Sequence, residues 1–157
     1  DDRASLAAVL AQASESAGAA AGCPVIVQEW VQGVEMVVPV LGDERDAYVL
    51  PPVEAPAPGA APVCPVRGES LSPSGQEVQA IRSEIERAAL DAYLVSGCRD
   101  LGCVTLMWDG GRCHVLGVDP TPDMSARGLV RLSLEAAGIS PSEILDELVS
   151  VAVERGN

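Results

Sequence analysis

Cys103-Val104-Thr105-Leu106-Met107-Trp108-Asp109-Gly110-Gly111-Arg112-Cys113-His114-Val115-Leu116-Gly117-Val118-Asp119 is the stretch that decides the fold. Two β-prone runs flank Asp109-Gly110-Gly111, whose residues suit a tight turn, so the stretch predicts a hairpin. Upstream, Val78, Ile81, Ile85, Ala88, Ala89, Ala92 and Tyr93 recur at helical spacing opposite Glu77, Arg82, Glu84, Glu86 and Arg87. Ser74 and Glu77 have capping-box spacing, and Gly97 stops that helix. Downstream come the Pro120–Asp123 loop, a helix over about 125–137 ending at Gly138, and a last helix over about 141–155. Ser140, Pro141 and Glu143 start this last helix, which is expected to bury Ile144, Leu145, Leu148, Val151 and Ala152.

At the other end of the chain, Leu6, Val9, Leu10 and Ala13 predict a helix over 4–16, capped by Asp1 or Asp2 and stopped by Gly18 and Gly22. Val25–Val31, Glu35–Leu41 and Ala47–Leu50, with turns at Gly33 and Gly42-Asp43, predict a three-strand antiparallel meander. Pro39 suits an edge or bulge in it. Seven prolines over residues 51–75 predict a loop rather than a packed element. Strand runs broken by helices make a single α+β domain over 1–157, an antiparallel sheet packed with helices.

The chain is 157 residues long and 48% hydrophobic, enough for one core. It carries 23 acids against ten arginines and no lysine, a net charge of −13, which argues against nucleic acid and anionic membranes as partners. Mean hydropathy is +0.22, yet no apolar run reaches the roughly 18 residues of a membrane span. Asp1-Asp2-Arg3 lacks a signal-peptide layout, and the five spread cysteines read as reduced thiols, so a cytoplasmic location is expected. Cys103 and Cys113 lie too far apart along the hairpin for a disulfide.

Three stretches resemble D-alanine–D-alanine ligase and related ATP-grasp carboxylate–amine ligases, over the C-terminal part of the ATP-binding domain. They are Val25–Val38, Ala89–Gly102, and Val115–Ser125 followed by Ala136–Ser140. The resemblance implies an ATP-grasp-like fold, ATP as cofactor with Mg²⁺, and acyl-phosphate chemistry. It implies that Gln28, Glu29 and Val31 form the hinge meeting adenine, with Trp30 beside it, and that Glu35 holds the ribose hydroxyls.

The same resemblance places the metal end on the hairpin, where the family has an arginine and an aspartate on the first strand. Here those positions are Cys103 and Thr105. The family's glutamate and asparagine on the second strand are here Gly117 and Asp119. Mg²⁺ takes hard oxygen ligands, so Asp119 alone brings a charged donor. The lysines with which the family grips the phosphates have no counterpart, and the Pro-rich segment carries no tyrosine or lysine where the family has both.

Strand alternation puts Cys103, Thr105, Met107, Cys113, Val115, Gly117 and Asp119 on one face, which the resemblance implies is the side toward the nucleotide. His114 then falls on the opposite face as a structural residue. The clustered acids Glu143, Asp146 and Glu147 read as favourable helix-start charge rather than a metal site. Two functions follow as expectations. One is a degenerate, non-catalytic binding or scaffold module. The other is an active ligase piece completed by another segment or subunit. Either implies a partner over the missing half, a second copy or another protein, with exposed strands in 25–50 available for sheet extension.

Overall fold

The computed structural model describes residues 3–16, 26–56, 61–62, 66, 71, 78–125 and 128–156. The expected caps at Asp1, Asp2, Gly18, Gly22, Ser74 and Glu77, the helix start at 125–127 and Cys23 and Cys64 lie wholly or partly outside them. The chain divides into two compact units, Asp1–Trp30 and Val31–Asn157.

The first unit carries helix α1, Arg3–Ser16, with Leu6 and Val9 exposed. Residues 26–30 join no ladder, so the expected first strand does not form over them. Apolar alternation gives strand propensity only when a partner strand and a packed face are present. Here Ile26, Val27 and Trp30 are exposed.

The second unit is built on a five-stranded antiparallel sheet. Its strands are β1 (Val34–Gly42), β2 (Tyr48–Val49), β3 (Val53–Glu54), β4 (Asp100–Trp108) and β5 (Cys113–Asp119). The order is β2-β1-β4-β5, and β3 also pairs with β1. Among the described residues the unit also carries the helices α2 (Val78–Val95), α3 (Leu129–Ala137) and α4 (Pro141–Gly156).

Pro39 sits inside this sheet, opposite Cys103, and not on an edge. Its carbonyl accepts from Leu50 N at 2.9 Å. The N and C=O of a strand residue point the same way, so the N–H that proline lacks falls on the side where β2 gives way to β3. The interrupted edge accommodates the proline.

Each face of the sheet has its own core. On one side Met36, Val38, Val40, Val104, Leu106 and Trp108 pack against Ile85, Ala89 and Tyr93 of α2. Tyr93 reaches across to donate to Gly42 O at 2.8 Å. Gly102 admits that ring, since a Cβ there would stand 2.9 Å from Tyr93 Cε2. On the other side Leu41, Leu50, Leu101 and Cys103 meet Val130, Leu134 and Ile144 of α3 and α4.

The Pro-rich segment is more than a loop. Val53 pairs with Val37, and Val53, Val66 and Leu71 are buried. Arg82 donates to Val66 O at 2.6 Å, and Trp108 Nε1 donates to Leu71 O at 2.9 Å. Isolated apolar residues between prolines have no periodicity to reveal this.

The capping box of α4 forms as read: Ser140 N donates to Glu143 at 2.8 Å, and Glu143 N to Ser140 Oγ at 3.2 Å. Of its expected core residues Ile144 is buried and Leu148 half-buried, while Leu145, Val151 and Ala152 are exposed. Val149 and Val153 continue the exposed stripe at four-residue spacing. Arg155 ties the end of this helix to Asp100, with one bond of 3.0 Å. No helix among the described residues is long and apolar enough to cross a membrane.

Candidate functional site

The site lies on the α3–α4 face of the sheet. Its floor is set by register: Val37 pairs with Thr105 and Thr105 with Gly117, while Pro39 pairs with Cys103 and Cys103 with Asp119. Paired residues share a face, so Cys103, Thr105, Gly117 and Asp119 come together as strand alternation indicates. Of these, Cys103, Thr105 and Asp119 line a cavity of about 250 Å³ together with Val37, Pro122, Asp123, Gly128, Leu129 and Val130.

A β-bulge interrupts this pattern between Thr105 and Leu106. Beyond it Leu106 pairs with Val115, Met107 with His114, and Trp108 with Cys113. One extra residue on β5 reverses the alternation. Cys113 and Val115 therefore turn to the α2 face, and Cys113 packs with that core. His114 turns to the cavity face, in a row with Met107 and Glu35. The expected placements of all three are corrected by this slip. It also puts Cys103 and Cys113 on opposite faces; both are free, as is Cys98.

The other expected binding residues are divided between the two units. Gln28 and Glu29 are exposed in the first unit, and Trp30 is 85% exposed. Val31 is half-buried in the second unit. Glu35 is exposed, two residues along β1 from the cavity-lining Val37.

The walls come from the Pro120–Asp123 loop, which the sequence marks, and from the start of α3. Asp123 closes its loop with Ser125, accepting from its N at 2.8 Å and its Oγ at 3.0 Å. Gly128 opens α3 without a side-chain cap. It lies so close to the loop that a Cβ would fall 2.1 Å from Asp123 O. The Asp-x-Ser spacing at 123–125 was the available signal; the approach of Gly128 is tertiary.

The charge of the cavity is one-sided. Asp119 accepts from Thr121 N at 2.9 Å, and Asp123 is the second acid, while among the described residues no lining residue is basic. Burial, with Asp119 alongside, pushes the Cys103 thiol up to about 12. It stays protonated and is no thiolate ligand at neutral pH. Thr105 offers a neutral hydroxyl and Gly117 nothing. Among the described residues no three His, Cys, Asp or Glu side chains gather to hold a metal ion. These donors do not fit a Mg²⁺–triphosphate, which needs carboxylates on the ion and cations on the phosphates.

An antiparallel sheet covered by α2 on one face and by α3 and α4 on the other, with a cleft between the hairpin and α3, is an ATP-grasp-like α+β fold. A D-alanine–D-alanine ligase of Bacillus anthracis complexed with ATP matches 98% of the chain, and 47% of its own, with a TM-score of 0.75 at 20% identity. Within that class the chain is D-alanine–D-alanine ligase-like. It is 33% identical over 138 residues to the D-alanine–D-alanine ligase of Alcanivorax borkumensis, and 29% identical over 134 residues to that of Cupriavidus pinatubonensis. These alignments cover 84% and 82% of the chain but only 43% and 41% of the relatives, so the chain spans less than half their length. No family model matches it.

Proposed function

We propose that this chain is a degenerate D-alanine–D-alanine ligase-like ATP-grasp domain, a non-catalytic module that contacts a nucleotide without a metal. The observation that carries the reading is the cavity floor. Thr105, Gly117 and Cys103 stand where the related ligases are expected to hold aspartate, glutamate and arginine, and among the described residues the cavity presents Asp119 and Asp123 with no cation. Two carboxylates and a neutral thiol repel a triphosphate rather than neutralise it. Glu35 and Val31 supply nucleotide contacts from the sheet-bearing unit. The protein acts in the cytoplasm beside a partner, a second copy or another protein, that covers apolar surface such as the Leu145–Val149–Val153 stripe of α4.

Calorimetric titration of ADP and ATP, with EDTA and with Mg²⁺, tests this. The expected result is the same affinity in both media. Tightening by Mg²⁺, with phosphate released when D-alanine is added, would overturn it. The second reading, an active ligase piece completed by another subunit, is favoured by one observation: named ligases align over most of the chain while extending well beyond it. It predicts Mg²⁺-dependent binding that strengthens when the complementing subunit is supplied.

A further inference from the structure

Helix α4 carries three unlike ridges side by side. Ile144 and Leu148 turn inward, where Ile144 joins the core with Val130 and Leu134. One residue on, Leu145, Val149 and Val153 are 50%, 62% and 59% exposed. Residues four apart stand one above the other on a helix, so these three make a continuous apolar ridge about 12 Å long. One residue further on, Asp146, Ser150 and Glu154 form a parallel ridge, all exposed. A helix that serves a single core face is polar over the rest of its surface. The Asp146 ridge obeys that rule and the Leu145 ridge breaks it.

Charge decides between occupants of the apolar ridge. The one base of α4, Arg155, is held by Asp100, with a bond of 3.0 Å. A second copy laid antiparallel along the ridge would bring Asp146 and Glu154 onto their own counterparts. Laid parallel, it would leave them facing no free base of the helix. In both arrangements two chains of net charge −13 come together. An anionic membrane is repelled by the same acids. A helix whose apolar stripe is edged with lysine or arginine answers both ridges at once. Its apolar side chains cover Leu145, Val149 and Val153, and its cations lie over Asp146 and Glu154.

We propose that this face of α4 docks an amphipathic helix of another protein, one whose apolar stripe is bordered by basic side chains. This rests on the reading of the chain as a module that works beside a partner, and it names that partner's chemistry.

The test is fluorescence anisotropy of a labelled model helix added to the full chain. The helix is about four turns of leucine and lysine, with the leucines at helical spacing. A second peptide has glutamine in place of lysine. The variants are Val149→Ser, the pair D146N/E154Q, and the pair E86Q/D91N, which removes equal charge from the exposed face of α2. The lysine peptide should bind the wild type. V149S should weaken it about tenfold, the loss of one apolar anchor. D146N/E154Q should weaken it about fivefold at low salt, E86Q/D91N less than about twofold, and the gap should close in high salt. The glutamine peptide should bind about fivefold more weakly than the lysine peptide.

Unchanged binding in V149S would overturn the inference. So would equal losses in the two charge pairs, which would make net charge the sole attraction, or equal binding of the two peptides, or no binding of either. A wild-type dimer in sedimentation velocity that V149S renders monomeric would give the ridge to a second copy, overturning the inference while keeping the reading that a partner covers it. The nucleotide reading is tested separately by the ADP titrations with EDTA and Mg²⁺, and none of these outcomes bears on it.

Discussion

Thr105→Asp combined with Gly117→Glu should convert a metal-indifferent domain into one that Mg²⁺ stabilises. Thr105 and Gly117 are paired across β4 and β5, and Asp119 follows on the same face. A Cβ at Gly117 meets nothing within 4 Å, so the glutamate enters without a clash. Three carboxylates would then stand roughly 5 Å apart across the strands and 7 Å along them. At an effective dielectric of about 40–80 each pair costs around 0.6–1.6 kcal/mol, or about 2–4 kcal/mol in all. In urea denaturation with EDTA the double variant should lose about that much against wild type. With Mg²⁺ at about 100 times its dissociation constant, binding to the folded state returns about 2.7 kcal/mol. The wild type should give one curve in both media. A double variant equally stable with EDTA and Mg²⁺ would refute the register argument that puts these side chains on one face.

Other outcomes follow from single contacts. Tyr93→Phe removes the bond to Gly42 O and should cost about 1 kcal/mol in denaturant titration, with the fold retained by circular dichroism. Ser140→Ala opens the capping box of α4 and should cost about 1 kcal/mol by the same method. Asp109 has its folded-state value lowered to about 2; its contribution to stability is therefore complete above the ordinary carboxylate range and fades as pH falls through about 2. Acid titration of D109N should show a smaller loss over that window than wild type. Cys103, with its thiol pushed up to about 12, should resist iodoacetamide at pH 8 in the native protein and react after denaturation, as read by peptide mass mapping.

What could be read from the sequence depended on how local the cause was. The hairpin turn at Asp109-Gly110-Gly111, the Ser140–Glu143 box and the stop at Gly138 are settled by neighbours a few residues apart, and all were legible. Gly138 indeed adopts φ +75. Strand formation at Val25–Val31 was misread because a strand needs a partner, and the residues carry no record of one. Val66 and Leu71 stayed hidden because single apolar residues among prolines have no period. The site divided the same way. Cys103, Thr105, Gly117 and Asp119 were placed correctly, because each pair lies within one strand on one side of the bulge. His114, Cys113 and Val115 were misplaced, because a one-residue slip reverses the faces beyond it. Asp123 and Gly128 became wall residues through packing that brings loop and helix start to the sheet.

Manganese electron paramagnetic resonance in the presence of ATP tests most directly whether this face has given up metal-assisted phosphate binding. The predicted spectrum of Mn²⁺–ATP is the same with excess wild type as with excess Asp119→Asn, since among the described residues the cavity offers Asp119 and Asp123 without a third carboxylate or a cation. A stoichiometric, broadened signal of protein-bound Mn²⁺ that disappears in Asp119→Asn would contradict the account.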